Sequence, residues 1–239
     1  NSPRLSEDLD FFGGYNFKPS DFDGLEVDIQ DYIQNKYEIP VWVTKPAADK
    51  QGDTSSWKIS IEKEANRPDL PRQKMHIDVC AIPSFDVNMR GLLNHYNMPV
   101  PTEGLLFPVQ SLSETLADKL IALAYRSRRI KPRDLWDIVW IKQRGIELSR
   151  PLVDNKLDAR GKEPSDFGQA LWLQVEKLVH DGEVYNDFKA EIVRFVPNQI
   201  KVRTIDNPDY WIYVQSVVKE LAIQALNPDS SVSRFDMSK

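Results

Sequence analysis

The stretch Ser6-Glu-Asp-Leu-Asp-Phe-Phe12 decides the fold, because acidic and apolar residues alternate from Asp8 to Phe11 before Gly13-Gly14 ends the segment. Such alternation is typical of a β-strand, in which residues i and i+2 share a face. The sequence therefore predicts a strand that presents the carboxylates of Asp8 and Asp10 side by side. On the opposite face and at the end of the strand, Leu9, Phe11 and Phe12 are expected to anchor it in the core.

Two neighbouring carboxylates repel each other unless a cation lies between them. Ligands that offer only oxygen suit Mg²⁺ or Mn²⁺. The alternative interpretation, a surface strand with two solvated acids, stays open at this point, because Asp-x-Asp is a common sequence.

Outward from this strand, the first half of the chain is rich in β-type segments. Asp21 can cap a helix whose apolar residues Leu25, Ile29 and Ile33 recur at helical spacing. Strands are predicted over 39–44, 57–62, 74–82 and 105–109, with a long loop over 83–104.

The second half of the chain is predicted to be helical. Ser111 and Glu114 form a capping-box pattern before an apolar-periodic run, and a second helix begins at Pro132 and ends at Gly145. Further helices are predicted over 165–181, 185–195 and 208–226. The order indicates an α+β fold, with a mixed sheet and flanking helices in a core over residues 1–110 and a helical domain over 111–239.

Composition excludes several classes of protein. The 239 residues contain one cysteine and carry a net charge of −5. No intrachain disulfide can form, and a reducing cytoplasmic location fits. No apolar run reaches the ~20 residues that span a bilayer. The net negative charge argues against binding of nucleic acid over the whole protein surface, so any nucleic-acid contact needs a local basic patch.

A third acid lies inside an apolar, β-forming stretch, Lys74-Met-His-Ile-Asp-Val-Cys-Ala-Ile82. Asp78 is expected on the same face as His76 and Cys80, with Ile77 and Val79 turned toward the core. An acid in the middle of a strand needs a partner, which could be a metal ion or a salt bridge.

The helical half holds a lysine, two acids and the densest basic segment of the chain. Lys119 lies at the edge of an apolar helical stripe, where it can reach solvent along its stem or bind a phosphate. Asp134 and Asp137 are spaced i, i+3 on the next helix. They can belong to an active site, or they can interact with the positive end of the helix dipole at its N-terminus. The basic segment comprises Arg126, Arg128, Arg129, Lys131 and Arg133. It is either a solvated turn or a binding site for a triphosphate or for RNA.

The order of these motifs is more specific than any one of them. Arg4-Leu-Ser-Glu-Asp-Leu-Asp-Phe-Phe12, an isolated strand acid, Ala117-Asp-Lys-Leu-Ile-Ala-Leu123 and Lys131-Pro-Arg-Asp-Leu-Trp-Asp-Ile138 follow one another. This series resembles the AbiEii/AbiGii toxin family of DNA polymerase β-like nucleotidyltransferases. The resemblance covers about residues 1–145.

The resemblance implies a toxin of toxin–antitoxin and phage abortive-infection systems, with an antitoxin partner. Such an enzyme transfers a nucleotide from NTP to an acceptor, in some members the 3′ end of tRNA. Asp8 and Asp10 would bind catalytic Mg²⁺ (or Mn²⁺), with Asp78 as the third carboxylate, and Lys119 and Asp134 match later active-site residues. We assign nucleotide and phosphate binding to Ser6, Lys119, Arg126 and Arg133, and RNA binding to Arg126, Arg128, Arg129 and Lys131.

One part of the superfamily signature, a Gly-Gly or Gly-Ser turn roughly ten residues before the acid pair, has no counterpart here. The chain begins at Asn1, too close to Asp8 for that turn. We therefore expect an N-terminal segment to be missing from this sequence. The alternatives are a binding module that keeps the fold without the chemistry, and a related Mg²⁺-dependent phosphotransferase.

Overall fold

The computed structural model describes residues 8–47, 53–64, 67, 69–93 and 101–226, which form two compact units, 8–84 and 85–226. The first unit contains a four-stranded sheet in the order β1-β4-β3-β2. Its strands are β1 (Leu9–Phe12), β2 (Val41–Thr44), β3 (Thr54–Ile61) and β4 (Gln73–Cys80). β1 runs parallel to β4, and the other pairs are antiparallel. The predicted mixed sheet is confirmed.

The strand register separates acidic from apolar residues. Asp10 of β1 is opposite Asp78 of β4, which is opposite Ser56 of β3. One position earlier on β4, Ile77 lies between Leu9 and Trp57. Residues opposite one another share a face, and successive residues alternate between faces. Asp10 and Asp78 therefore project from one face of the sheet and Trp57 from the other.

The apolar residues of β1 are less buried than the sequence predicts. Leu9 and Phe11 are 50% and 51% exposed, so the prediction that they anchor the strand in the core is wrong for these two side chains. The buried core of this unit lies around β2, β3 and β4, and includes Val41, Trp57 and Val79. β1 is at the edge of the sheet, where fewer neighbours cover a side chain.

A 3₁₀ helix over Pro19–Phe22 leads into helix α1 (Leu25–Tyr37). Asp21 belongs to the 3₁₀ helix and accepts a hydrogen bond from the Lys18 N–H at 2.9 Å, so the prediction that it caps α1 is wrong. Gly24 takes that place with φ +93°, a conformation that glycine adopts without steric cost. α1 lies along β2, where Gln30 accepts a hydrogen bond from the Val43 N–H.

The second unit begins with an antiparallel hairpin of β5 (Val87–Gly91) and β6 (Leu106–Gln110). β6 confirms the predicted strand, whereas β5 lies inside the predicted loop. Val87-Asn-Met-Arg-Gly91 is short and has only two apolar residues, so its pairing with β6 decides its conformation. The units divide before the predicted boundary at 110/111, because the hairpin belongs with the helices; the division into 1–110 and 111–239 stays a prediction.

The helices that follow share one large apolar core, as predicted for a helical second half. They are α2 (Leu112–Ala124), α3 (Pro132–Gln143), α4 (Arg150–Asp158), α5 (Pro164–His180), α6 (Gly182–Ile192), α7 (Asn198–Arg203) and α8 (Pro208–Leu226). The sequence predicts all of these except α4 and α7, which are the two shortest.

Half of the predicted capping box forms at the start of α2. The Ser111 Oγ accepts a hydrogen bond from the Glu114 N–H at 3.0 Å. The Glu114 carboxylate accepts hydrogen bonds from the Phe85 and Asp86 N–H groups, and Lys156 forms an ion pair with it. Because Glu114 and Lys156 are fully buried, this pair joins α2 to α4 and to the start of the hairpin.

Candidate active site

The three acids predicted to bind metal belong to one unit and one sheet. Asp8 directly precedes β1, Asp10 lies on β1, and Asp78 is opposite Asp10 on the parallel strand β4. Since Asp8 and Asp10 are two residues apart, all three side chains belong to the same face. This arrangement groups the carboxylates that the sequence singled out.

Asp8 is held in place by β4. Its Oδ1 accepts a hydrogen bond from the His76 N–H at 3.0 Å and lies 3.1 Å from His76 Nδ1. The sequence places His76 on the same face as Asp78 but does not identify it as the partner of Asp8. That pairing depends on the register between two strands distant in sequence.

Asp78 has a buried oxygen, Oδ1, that accepts no hydrogen bond from the described residues, and its side chain forms no ion pair with them. The salt bridge considered from the sequence is therefore not formed within the described part of the chain. A buried carboxylate oxygen with no partner is costly, and a hard cation would satisfy it. Carboxylate oxygens of this kind are ligands that suit Mg²⁺.

Within residues 8–226, excluding those left undescribed, no three His, Cys, Asp or Glu side chains are clustered closely enough to hold a metal ion. The three carboxylates share a face without converging on one point. Metal binding by Asp8, Asp10 and Asp78 stays a prediction.

In the second unit, the half-buried Lys119 of α2 forms an ion pair with the buried Asp134 of α3. Lys119 Nζ lies 2.8 Å from Asp134 Oδ1 and 3.0 Å from Asp137 Oδ2. Arg126 Nη2 donates to Asp134 Oδ2 at 2.8 Å. Lys119, Arg126 and Asp134 thus lie together, and Asp137 completes a cluster of two cations and two acids.

The charges in this cluster stabilise one another. Burial by itself would lower the pKa of the Lys119 ammonium, but the Asp134 and Asp137 carboxylates outweigh it and raise that pKa. Burial by itself would raise the pKa of Asp134, but the charges and hydrogen bonds of Lys119 and Arg126 lower it. Both groups are therefore charged at neutral pH, and Lys119 is held in a fixed position between two acids.

Asp137 is a site residue for which the sequence predicted no specific role. The signal was available in the i, i+3 spacing of Asp134 and Asp137, because residues at that spacing lie on one face of a helix. A charged cap of the helix N-terminus explained the same spacing equally well from the sequence.

The basic connector between α2 and α3 lines a cleft of about 280 Å³ whose walls are Tyr125, Arg126, Ser127, Arg128, Arg129 and Lys131. Arg129 forms ion pairs with Asp187 and Glu191 of α6. Arg128 and Lys131 are exposed and form no ion pair with the described residues. The cleft therefore offers two exposed cations that no acid in the described part neutralises.

Two polar groups at this cleft have unmet hydrogen-bonding capacity. The Tyr125 hydroxyl and the Arg126 Nε are buried and have no hydrogen-bond partner among the described residues. Both can donate to an oxygen atom. Their presence beside exposed cations suits an anionic ligand.

The remaining predicted phosphate-binding residues are placed differently. Arg133 Nε lies 3.4 Å from Glu191, and its guanidinium lies over the Phe195 ring. It therefore contacts α6 and the residues after it. Ser6 lies outside the described residues, and its role stays a prediction.

The family profile described as "Nucleotidyl transferase AbiEii toxin, Type IV TA system" matches residues 1–216. This chain belongs to the AbiEii nucleotidyltransferase toxin family. The match spans both groups of residues described above, and the resemblance predicted from the motifs is confirmed.

Among solved structures, the AbiEii-family chain is similar to MenT4, a nucleotidyltransferase toxin from Mycobacterium tuberculosis H37Rv. The two are 15% identical, with a TM-score of 0.48 over 95% of this chain and 70% of the other. No curated protein sequence matches the chain.

Family membership makes the chain a nucleotidyltransferase toxin of a type IV toxin–antitoxin system, and so a transferase that uses an NTP. Each helix in the described ranges is too short or too polar to cross a bilayer.

Proposed function

We propose that this AbiEii-family toxin is a Mg²⁺-dependent enzyme that transfers a nucleotide from an NTP to the 3′ end of tRNA. The observation that carries the proposal is the in-register placement of Asp10 opposite Asp78, with Asp8 two residues away on the same face.

Asp8, Asp10 and Asp78 would hold Mg²⁺ (or Mn²⁺) through carboxylate oxygens. When bound, the ion supplies Lewis-acid stabilisation of the charge that develops on the transferred phosphoryl group. Asp78 is the strongest candidate ligand, because its Oδ1 is buried and has no partner among the described residues.

Lys119 and Arg126 would stabilise the negative charge of the triphosphate and of the leaving pyrophosphate. The terminal hydroxyl of the acceptor attacks the α-phosphorus, the bond to the β-phosphate breaks, and pyrophosphate leaves. The hydroxyl proton passes to a carboxylate, for which Asp78 is the candidate. Asp134 would act as a positioning residue, because it fixes Lys119 Nζ at 2.8 Å.

The acceptor would lie along the basic connector. Arg128 and Lys131 supply exposed positive charge, and Tyr125 and Arg126 supply buried donors with no partner among the described residues. Contacts of this kind are made to phosphate oxygens and do not depend on base sequence. An RNA backbone therefore suits the connector better than a small neutral acceptor.

The proposed setting is a cytoplasmic toxin–antitoxin pair that acts in phage abortive infection. Modification of a tRNA end would stop translation, and a cognate antitoxin would restrain the activity. Co-expression with a cognate antitoxin is expected to relieve growth arrest caused by the toxin, whereas Lys119→Met should remove the arrest without any antitoxin.

The decisive experiment incubates the protein with total tRNA, Mg²⁺ and each NTP, labelled in turn at the α- or γ-phosphate. Transfer of the α-label onto tRNA is expected, with loss of transfer in Asp10→Asn and Lys119→Met. Transfer of the γ-label would instead indicate a phosphotransferase. Binding of NTP and tRNA without transfer of either label would indicate a non-catalytic module.

A further inference from the structure

A second cavity, separate from the carboxylates, lies in the unit formed by residues 8–84. It has a volume of about 290 Å³ and is bounded by the 3₁₀ helix, the start of α1, the end of β2 and Trp57 of β3. Trp57 and the Asp10–Asp78 pair project from opposite faces of the sheet, as the strand register shows. The cavity is therefore on the face turned away from the proposed catalytic acids.

Trp57 closes this cavity from the sheet side. Its side chain is 1% exposed, and its indole N–H is buried without an acceptor among the described residues. An unpaired buried donor lowers stability, so an acceptor atom that reached it would be bound favourably. This group can only donate a hydrogen bond.

The walls of the cavity are flat and apolar. Phe22 packs edge-on against Trp57 with ring centroids 5.9 Å apart, and the rings of Pro19 and Pro46 complete the wall. Such walls favour a planar ring over a flexible chain, because a rigid ring loses little conformational entropy on binding.

The rim of the cavity carries more acid than base. Asp23 and Glu26 contribute two carboxylates, and Lys45, 65% exposed at its side chain, lies 3.9 Å from Glu26. An anion would be repelled by two acids against one cation. A simple cation would suit the carboxylates but leave the Trp57 N–H without an acceptor. A ligand that meets both demands carries an acceptor and a donor.

We propose that this cavity binds an uncharged amino-substituted nitrogen heterocycle, of the kind found in adenine and cytosine. A ring nitrogen accepts the hydrogen bond from the Trp57 indole, and the neighbouring amino group donates to Asp23 or Glu26. The ring packs against Phe22 and the two prolines. This site is distinct from the NTP site of the proposed function and does not depend on it.

Titration calorimetry of the intact protein with adenosine, cytidine and uridine, in the absence of Mg²⁺, tests the proposal. Adenosine and cytidine are expected to bind, and uridine, which lacks the amino group, to bind at least about tenfold more weakly. Equal affinity for all three nucleosides, or no binding of any, would overturn the proposal and leave a hydrated surface cavity.

Trp57→Phe keeps an aromatic ring but removes the donor, and it should weaken adenosine binding by about tenfold. Trp42→Phe is the matched control, since the strand register puts Trp42 on the other face of the sheet. The double variant Asp23→Asn, Glu26→Gln changes only the rim of the cavity and leaves its buried residues as they are. It should weaken adenosine binding by a similar factor. Asp78→Asn should leave adenosine affinity unchanged; a loss there would place the nucleoside at the catalytic acids and refute the separate site.

Discussion

At the scale of single residues, the most informative side chain is Asp78. It lies in the middle of β4, and its buried Oδ1 has no hydrogen-bond partner among the described residues. Such a group lowers the stability of the protein alone and becomes favourable only when a ligand is bound. This cost at a single position is what a functional carboxylate is expected to show.

Asp78→Asn should therefore separate folding from metal binding. Without Mg²⁺ the variant is expected to be at least as stable as the wild type. With Mg²⁺ at about ten times its dissociation constant, the wild type should gain about 1.4 kcal/mol in unfolding free energy, and the variant should gain almost none. Chemical denaturation with and without Mg²⁺ measures both. Asp28→Asn, an exposed acid on α1, is the control, and an equal Mg²⁺ effect in Asp78→Asn would contradict metal binding at this acid.

Two glycines make a matched pair for testing backbone conformation. Gly145 follows α3 with φ +74°, whereas Gly182 begins α6 without a positive φ, and a Cβ would meet no atom at either position. Gly145→Ala should lower the free energy of unfolding by about 1 kcal/mol, because the left-handed conformation is strained for alanine. Gly182→Ala should raise it by up to about 1 kcal/mol. Thermal unfolding of both variants checks the prediction; equal changes would show that backbone strain is not the cause.

At the scale of elements, α2 and α3 are joined by charge as well as by apolar packing. Lys119 and Arg126 come from α2 and the residue just after its C-cap, and both bind Asp134 in the first turn of α3. These contacts join the two ends of the connector, so they fix the geometry of the two helices that border the basic cleft.

This link predicts how stability depends on pH. The pKa of Asp134 is lowered in the folded protein, so its contribution is present above the ordinary value of 3.8 and is lost as pH falls toward the lower folded value. The pKa of Lys119 is raised, so its contribution is present below 10.5 and is lost as pH rises toward the higher folded value. The contribution of this ion pair to the unfolding free energy should therefore not change with pH between about 3.8 and 10.5.

Asp134→Asn provides the comparison. It should lower the unfolding free energy at pH 7 by about 3 kcal/mol, because Lys119 and Arg126 lose a buried partner. Its stability should also fall less steeply below pH 4 than that of the wild type. Asp154→Asn breaks an exposed pair with Arg150 and should cost less than about 0.5 kcal/mol. Identical acid profiles for wild type and Asp134→Asn would refute the link.

At the scale of the whole molecule, net charge limits where RNA can bind. A chain with net charge −5 repels RNA over most of its surface, so affinity must come from a local basic region. The connector cleft is such a region, and Arg128 and Lys131 are its cations without an acidic partner among the described residues.

Arg128→Gln combined with Lys131→Gln should weaken tRNA binding and reduce its dependence on salt. Each lost phosphate contact lowers the slope of log affinity against log salt concentration by about 0.7–0.9, or about 1.5 for the pair. Filter binding or fluorescence anisotropy across a salt series gives the slope. Lys219→Gln, an exposed cation on α8, should leave it unchanged. An unaltered slope in the double variant would exclude the connector as the RNA-binding region.

The amino-acid sequence predicts most of the regular structure, whereas its assignment of the site residues stays a prediction. Hydrophobic periodicity predicts the longer helices, and alternation along Leu9 to Phe12 predicts the first strand. These signals are local, so they can be interpreted without knowing which segments meet. The prediction was wrong where a segment distant in sequence decides the local structure. β5 is a strand only because it pairs with β6, and Leu9 and Phe11 are exposed because β1 lies at the edge of the sheet.

By itself, the sequence determined the family of this protein, its α+β character and the residues that carry its proposed chemistry, because order and spacing of side chains are properties of the chain alone. Only the tertiary structure decided that Asp10 is opposite Asp78, that His76 holds Asp8, and that Lys119 lies between Asp134 and Asp137. Those facts depend on strand register and helix packing. Both are set by burial and hydrogen bonding between segments that lie far apart along the chain.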